Sequence, residues 1–289
     1  MPKIKIEGRN TLSGTINISG AKNSAVALIP ASILCDEVVK ISNVPNISDI
    51  DSLEEILLHL NAKIDRNKDI VIIDSSNIEN KKIHENLSNK LRASYYFMGA
   101  LLGKFKKVDM YFPGGCSIGE RPINLHLKGF EKLGATIKEE GNHFIIEANN
   151  LVGNKIYLDV PSVGATINIM LAAVKAKGKT TIENAAKEPE IVNVATLLNN
   201  MGAKIKGAGT NVITIYGVNY LHSCFHEVIP DRIEAGTYLI IGALLGDKLK
   251  INNIIPSHVE SLTSKLKEAG VKMKINDDNI IISKSDKYK

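Results

Sequence analysis

The chain has 289 residues, a mass of 31.5 kDa and a formal net charge of +5, with 44% hydrophobic and 23% charged residues. This length can hold two domains with their own cores, and the composition is that of a globular protein. The modest positive charge is dispersed and Trp is absent, which argues against a nucleic-acid-binding stripe. No apolar stretch approaches the length of a membrane span, so no membrane association is expected.

The start of the chain and its cysteines indicate a cytoplasmic protein. The first residues alternate like a β-strand and lack the apolar core of a signal peptide. Cys35, Cys116 and Cys224 are far apart and lack metal-ligand spacing, which is typical of a reducing compartment. Cys35 and Cys224 are interpreted as structural or incidental. His222 and His226 flank Cys224, but no further ligand with suitable spacing is near, so no metal site is predicted.

One short turn recurs along the chain at the end of a helical pattern. It carries Gly in three places and in a fourth Asn, the commonest substitute at a left-handed helix C-cap. The four segments are Leu60–Ile64, Leu133–Ile137, Met201–Ile205 and Ala269–Met273. Because they recur at intervals of about 70 residues, they predict one supersecondary repeat used four times.

Each repeat contains the same predicted elements in the same order. An apolar helix comes first, hydrophobic on nearly all sides and therefore expected to be enclosed; the four are Asn23–Leu34, Arg92–Gly103, Gly164–Ala176 and Glu234–Leu245. A strand such as Val38–Ile41 follows, then a Pro-containing loop and an amphipathic helix such as Ile50–Leu60. Two strands around a polar turn close the repeat, as in Ala203–Lys206 and Val212–Ile215. With the strand that precedes it, each repeat has the order βαβαββ.

A hydroxyl residue stands in phase near the start of each apolar helix, at Ser24, Ser94, Thr166 and Thr237. If the repeats are equivalent, these helix N-termini emerge on the same side of their sheets, where their backbone N–H groups attract anions. Two positions earlier stand Lys22 and Arg92 in the first two repeats. Either cation alone would be an ordinary solvated side chain. Their matched positions indicate an anion site.

The loop at residues 113–122 reads Pro-Gly-Gly-Cys-Ser-Ile-Gly-Glu-Arg-Pro and places Cys116 among turn formers near Arg121. Such surroundings expose a thiol and favour the thiolate. The second repeat is the longest of the four, and its excess falls at Gly114–Gly119. An incidental Cys in a mobile glycine-rich turn is the alternative, but an inserted loop on a rigid scaffold often carries function.

Together these motifs resemble the UDP-N-acetylglucosamine 1-carboxyvinyltransferase family. The resemblance is carried, in order, by residues 19–24, 91–94, 113–119, 121–122, 162–166, 183–190 and 230–237. It covers essentially the whole chain, and the Gly-Gly-Cys loop separates it from the related shikimate-pathway synthase. It implies an α/β (α+β) fold built from βαβαββ repeats, the inside-out α/β barrel of the enolpyruvyl transferases.

The resemblance also implies an activity. The family transfers the enolpyruvyl group of phosphoenolpyruvate to the 3'-hydroxyl of UDP-N-acetylglucosamine and releases phosphate, without a metal or an organic cofactor. This reaction is the first committed step of peptidoglycan synthesis, so it serves cell wall biogenesis, cell shape and cell division. The partners implied are these two substrates, with neither nucleic acid nor membrane.

Roles for individual residues follow from the same resemblance. Lys22 and Asn23 would hold phosphoenolpyruvate, with Lys22 also contributing to catalysis, and Arg92 would help to bind substrate. Cys116 would be the general acid at the methylene carbon, could form a covalent adduct, and would be the target of fosfomycin. The UDP-sugar site would be lined by Arg121, Pro122, Ile123, Asn124, Leu125, Ser162, Val163 and Gly164. Asn124 stands where the family usually has Asp, which puts one polar contact to the nucleotide in question.

The number of repeats sets the expected domain organisation. Members of the family have six repeats in two three-repeat domains, whereas this chain has four. We expect a complete domain at 22–229, and about one third of a second domain in 1–21 plus 230–289. The family's general-base Asp and further arginines belong to the part that is not represented.

Three interpretations follow from this organisation. In the first, the chain is a C-terminally truncated or split enolpyruvyltransferase that is active only if another polypeptide supplies the missing repeats. In the second it is a non-catalytic remnant that binds UDP-sugar, and in the third an unrelated use of the repeat, as in RNA-terminal phosphate cyclases. The Cys loop argues against the third. The fourth repeat, without companions, predicts exposed apolar surface and hence self-association or poor solubility.

Overall fold

The computed structural model describes residues 3–8, 10–114, 122–285 and 287–288. The chain forms two compact parts, a large module at Lys22–Ile229 and a small module at Met1–Ala21 with Pro230–Lys289. None of the helices within the described ranges has the length and apolar run that crossing a bilayer requires.

The elements follow one another in the order that the repeats predict. The chain begins with β1 (Thr15–Asn17) of the small module. The large module contains α1 (Lys22–Ser32), β2 (Val38–Ser42), α2 (Ser48–His59), β3 (Lys63–Asn67), β4 (Ile70–Asp74), α3 (Glu85–Ser88), α4 (Tyr96–Phe105), β5 (Lys107–Tyr111), α5 (Asn124–Lys132), β6 (Thr136–Glu140), β7 (His143–Glu147), β8 (Lys155–Tyr157), α6 (Val163–Ala173), β9 (Lys179–Glu183), α7 (Pro189–Asn200), β10 (Lys204–Lys206), β11 (Val212–Tyr216) and β12 (Cys224–Glu227). The small module resumes with α8 (Arg232–Leu245), β13 (Leu249–Asn252), α9 (Glu260–Glu268), β14 (Lys272–Ile275) and β15 (Asn279–Ser283).

The described strands form four sheets with one shared topology. The orders are β12-β2-β4-β3, β5-β7-β6 and β8-β9-β11-β10 in the large module, and β1-β13-β15-β14 in the small module. The outer strand is parallel to the first strand of the repeat, and the remaining pairs are antiparallel. In the second sheet a parallel bridge between Ile83 and Met110 stands at the place of the outer strand. The predicted βαβαββ order is confirmed.

The first sheet joins the two ends of the large module. Its outer strand β12 comes from the end of the module, and Cys224 lies opposite Val39 of β2. The strands alternate as half-buried strands do: in β4, Val71 and Ile73 are fully buried and their neighbours are not. This alternation directs one face of each sheet towards the helices.

The recurring turn is confirmed as a left-handed helix end. The residue after each helical segment has a positive φ, which costs Gly nothing and is tolerated by Asn. The φ values are 70° at Asn61, 95° at Gly134, 100° at Gly202 and 91° at Gly270. The turn chemistry is therefore the same in both modules.

Three apolar helices form the centre of the large module. In α1, α4 and α6 almost every residue is buried, and α4 packs against both α1 and α6. This explains why their sequences are hydrophobic on all sides. The second helix enters through a 3-10 turn at Arg92–Tyr95. The first ends at Ser32, two residues earlier than expected, because the chain after Pro30 tightens into hydrogen bonds from residue i to residue i−3.

The apolar helix of the small module is covered on one side only. Ala235, Leu239, Gly242 and Ala243 of α8 are buried over β13 and β15. The opposite side is exposed to 55% at Ile233, 47% at Ile240, 60% at Leu244 and 45% at Leu245. The exposed apolar surface expected of an unaccompanied repeat is therefore present on α8.

Candidate functional site

Two of the expected site residues, Cys116 and Arg121, lie outside the described residues. The loop that holds them is described at its base, where Gly114 donates its backbone N–H to the Ser88 carbonyl at 3.2 Å. A Cβ on Gly114 would collide with the side chain and the backbone oxygen of Asn89. Position 114 therefore requires glycine, because the entry to the loop packs directly against the end of α3.

Lys22 and Asn23 are exposed at the start of α1. The Lys22 ammonium forms an ion pair with Asp49 in the first turn of α2. The Lys22 side chain is 52% exposed and that of Asp49 is 23% exposed. Asp49 thus holds the cation at the helix N-terminus while leaving it open to solvent, which is the arrangement expected of a group that meets an incoming anion.

The in-phase hydroxyls of the large module are buried and tie segments together. Ser24 donates to the Asn193 Oδ1 on α7, and Ser94 donates to the Ser88 carbonyl at 2.9 Å. Thr166 accepts from the Ala186 backbone N–H at 3.2 Å. These hydroxyls therefore stabilise the helix starts. They point to a shared repeat geometry.

Arg92 and Gly164 meet at one cluster of aromatic rings. The Arg92 guanidinium carbon lies 5.7 Å from the Tyr95 ring centroid, and the Tyr95 ring lies 4.9 Å from the His126 ring. A Cβ on Gly164 would lie 2.8 Å from Tyr95 Oη and 2.9 Å from His126 Cε1. The glycine therefore admits these two side chains. Two positions named by the sequence, 92 and 164, are brought together in this way.

The remaining expected UDP-sugar residues lie at the starts of α5 and α6. Ile123 is 5% exposed, Asn124 is exposed at the first position of α5, and Leu125 is half-buried. Pro122 precedes them and is exposed. Since α5 packs against α6 and His126 touches Gly164, the N-terminal turns of the two helices lie side by side.

Ser162 has a local structural role. It is the N-cap of α6, where its Oγ accepts the Ala165 backbone N–H at 3.3 Å. Such a cap stabilises a helix by about 1 kcal/mol. Its neighbour Val163 is half-buried. The motif at 162–164 thus combines a helix cap with a close-packed glycine, and the remaining backbone N–H groups of this turn stay available to an acceptor.

The electrostatics of the cluster are those of a buried ring beside a cation. His126 is 4% exposed, and burial followed by the nearby Arg92 charge lowers its pKa to about 3. Burial raises the pKa of Tyr96 well above its usual range, with Tyr95 and the carboxylates of Glu190 and Glu188 adding to the effect. His126 is therefore neutral at physiological pH.

The sequence did not single out His126, Tyr95 or Asn168. His126 Nδ1 lies 2.9 Å from Asn168 Nδ2, and Asn168 Oδ1 accepts the Gly99 backbone N–H at 2.8 Å. An Asn inside the largely apolar α6 is the signal that could have indicated such a network, since buried amides need partners.

Of the two remaining cysteines and the histidine near them, Cys35 and His226 are buried and Cys224 is half-buried. Burial raises the pKa of Cys224 to about 11, and burial also raises the pKa of Cys35. His226 Nε2 lies 2.9 Å from Asn193 Nδ2, and burial lowers the pKa of His226. Neither thiol has the thiolate character of a nucleophile.

Sequence comparison identifies close relatives. The chain matches the family EPSP synthase (3-phosphoshikimate 1-carboxyvinyltransferase) over residues 6–289. It is 56% identical over 290 residues to UDP-N-acetylglucosamine 1-carboxyvinyltransferase 2 of Bacillus cereus (strain ATCC 14579), covering 100% of this chain and 68% of that protein. It is 54% identical to the protein of the same name from Bacillus subtilis (strain 168), covering 98% and 66%. The chain thus spans about two thirds of the length of the curated relatives it matches.

Solved structures show the same fold. The enolpyruvyl transferase NikO from Streptomyces tendae matches with a TM-score of 0.86 at 24% identity, over 97% of this chain and 68% of that one. EPSP synthase from Acinetobacter baumannii matches with a TM-score of 0.76 at 19% identity, over 96% and 65%. The fold is that of the enolpyruvyl transferases. Together with relatives more than half identical along the whole chain, it shows that this protein belongs to the UDP-N-acetylglucosamine 1-carboxyvinyltransferase family.

Proposed function

We propose that the protein serves the transfer of the enolpyruvyl group from phosphoenolpyruvate to the 3'-hydroxyl of UDP-N-acetylglucosamine, with release of phosphate, in the cytoplasm. This is the first committed step of peptidoglycan synthesis. The observation that carries the proposal is that relatives 54–56% identical over the whole chain are carboxyvinyltransferases of this sugar nucleotide.

Phosphoenolpyruvate is assigned to the start of α1. Lys22 and Asn23 are exposed there, and the ion pair with Asp49 aims the ammonium without burying it. A phosphate carries more charge than one carboxylate and competes for this ammonium. Protonation of the methylene carbon by Cys116 leaves an oxocarbenium-like centre. Cations around the phosphate and carboxylate hold these anionic groups in place while the sugar 3'-hydroxyl adds to that centre, and loss of phosphate and of one methyl proton then restores the double bond.

The UDP-sugar is assigned to the adjacent starts of α5 and α6. Residues 121–125 and 162–164 would line it, with Arg92 beside them through the Tyr95 ring. Helix N-termini and a guanidinium suit a diphosphate. Asn124, exposed at the first position of α5, is a neutral hydrogen-bonding group for the nucleotide.

The small module needs companions to bury α8. In the large module α4 is covered by α1 and α6, whereas one side of α8 is open. The third of the relatives' length that this chain does not match would accommodate two further repeats. We propose that such repeats, on a complementing polypeptide, cover α8 in the working enzyme, and that the 289 residues self-associate when left alone.

A second candidate function rests on the same span of two thirds of the relatives' length. A polypeptide of these 289 residues would then bind UDP-sugar through the large module without turnover. The split enzyme and the binding protein are distinguished by one experiment, which asks whether the addition of the further repeats restores activity.

Phosphate release from phosphoenolpyruvate and UDP-N-acetylglucosamine tests the proposal. The chain alone should show no measurable turnover. Addition of a polypeptide carrying the remaining third of the Bacillus cereus relative should restore it, and Cys116→Ser should abolish the restored rate. Robust turnover by the chain alone would show that the small module needs no further repeats for activity. Persistent inactivity with the added repeats would favour the binding protein.

Sedimentation tests the self-association. We expect the unsubstituted chain to sediment as more than one copy, and Leu244→Glu combined with Ile240→Lys to shift it towards the monomer, because the apolar face of α8 is then interrupted. The matched control, Val212→Lys, changes an apolar residue of the large module that is 39% exposed, and should leave the distribution unchanged. A stable monomer before substitution would contradict the proposal.

A further inference from the structure

The amide of Asn168 has only one possible orientation. The Gly99 backbone N–H lies 2.8 Å from Oδ1 and can only donate, so an oxygen must face it. The Asn168 side chain is fully buried, so this bond is shielded from bulk solvent. The Nδ2 amino group therefore points the other way, to His126 Nδ1 at 2.9 Å.

This orientation determines the tautomer of His126. An amide NH2 group can only donate, so Nδ1 must accept with its lone pair, and the ring proton must sit on Nε2. Protonation of Nδ1 would set N–H against N–H in a ring that is 4% exposed. Burial and the Arg92 charge act in the same direction on the His126 pKa.

The Nε2–H group lies next to the start of α6, where the UDP-sugar is proposed to bind. Cε1 of the ring faces Gly164, and Nε2 is the ring atom next to Cε1 on the side away from Asn168. Among the described residues no acceptor for Nε2 is found. The Nε2–H group is therefore available to donate to an oxygen of a ligand.

We infer that Asn168 is a positioning residue, which holds His126 neutral with its proton on Nε2 so that this ring of α5, beside the start of α6, offers one fixed, uncharged donor to an oxygen of the UDP-sugar. The ligand named here rests on the proposed function, whereas the tautomer does not. A neutral donor binds a hydroxyl or phosphoryl oxygen without adding charge beside Arg92.

The surroundings leave few charges that could disturb this state. Arg92 and the phenol of Tyr95 come from the 3-10 turn, and α6 carries no charged residue. Of the strands that pack against α5, β8 has Lys155 paired with Glu183, and β6 has its charges exposed at Lys138, Glu139 and Glu140.

Nitrogen NMR of the histidine-labelled chain tests the tautomer directly. His126 should show a protonated Nε2 and an unprotonated Nδ1 throughout the physiological pH range. In Asn168→Asp the carboxylate accepts from both sides, so the proton should move to Nδ1 and the pKa of His126 should rise. Asn199→Asp, a matched change on α7 at an amide that bonds Ile205, should leave His126 unchanged. A protonated Nδ1 in the unsubstituted chain overturns the inference, whatever the variant does.

Calorimetric titration with UDP-N-acetylglucosamine tests the donor. At about pH 8 we expect Asn168→Asp to bind about tenfold more weakly, and to regain affinity as the pH falls and the imidazolium donates from both nitrogens. A purely structural Asn168 would give a loss without this pH dependence, and equal affinity in both proteins would also overturn the inference. If the unsubstituted chain does not bind, the proposed function and the ligand named here fail together. The NMR result then decides the tautomer separately.

Discussion

The two modules use the same repeat but bury it to different degrees. Leu101 of α4 and Leu244 of α8 stand at the same position, seven residues after the in-phase Ser94 and Thr237. Leu101 is fully buried and Leu244 is 60% exposed. The local sequence therefore determines that an apolar helix forms on its sheet. The number of neighbouring repeats determines how much of the surface of that helix is buried.

The first prediction compares these two leucines and carries the largest effect. Leu101→Ala should reduce the free energy of unfolding of the large module by about 2–5 kcal/mol, because it leaves a cavity in a closed core. Leu244→Ala should change that of the small module by less than about 0.5 kcal/mol, because the side chain is already largely in water. Urea unfolding followed by module-specific probes measures both. Similar losses at the two positions would mean that α8 is covered.

The second prediction concerns pH and the buried histidines of the large module. The folded pKa of His126 is about 3 and that of His226 is also lowered, both below the unfolded value. Unfolding therefore takes up protons, so this stability is complete above the unfolded pKa of about 6.5 and is lost as the pH falls towards the folded pKa. At about pH 5, His126 alone should lower the free energy of unfolding of the large module by about 2 kcal/mol relative to its value above pH 6.5.

Thermal melts at several pH values, resolved by module, provide the measurement. Asn168→Asp raises the His126 pKa and should flatten the pH dependence. If the stability of the large module stayed constant as the pH was lowered from about 6.5, the conclusion that these histidines are buried in the neutral form would be contradicted.

The third prediction concerns the left-handed turn that both modules share. Gly202 and Gly270 have φ values of 100° and 91° in equivalent turns, one in each module. Replacement of either by Ala should cost about 1 kcal/mol, because a Cβ is strained at positive φ. Chemical denaturation of the two variants should give similar losses. A loss confined to one module would show that the turns are not equivalent.

The fourth prediction has the smallest effect. Asn61 takes the same turn with φ 70° and donates from its amide to the Asn77 carbonyl at 3.1 Å. Asn61→Gly relieves the backbone but removes this exposed hydrogen bond, so we expect a change within about 0.5 kcal/mol. Asn61→Ala, which keeps the strain and loses the bond, is the control and should be clearly less stable in the same melts.

The repeats could be predicted because their signals are local. The turn at Asn61 and the apolar runs of α1, α4 and α6 depend on residues close together in sequence, and all were confirmed. The 3-10 entry at Arg92–Tyr95 could not be predicted, because it depends on how the following helix packs.

The site was predictable only in part, for the same physical reason. Arg92 and Gly164 were named from sequence, but their meeting through Tyr95 and His126 depends on the packing of α5 against α6. The Asn168 amide that sets the His126 tautomer lies far from it in sequence. Ser162 was named as a binding residue, and its side chain caps α6.

Calorimetric titration of the chain with UDP-N-acetylglucosamine tests the central claim, that the large module holds the sugar-nucleotide surface of the transferase. We expect weak but measurable binding, which falls on Arg121→Ala and is retained in Leu244→Glu, a change in the small module. Absence of binding by the folded chain, or binding that Arg121→Ala leaves unchanged, would contradict it.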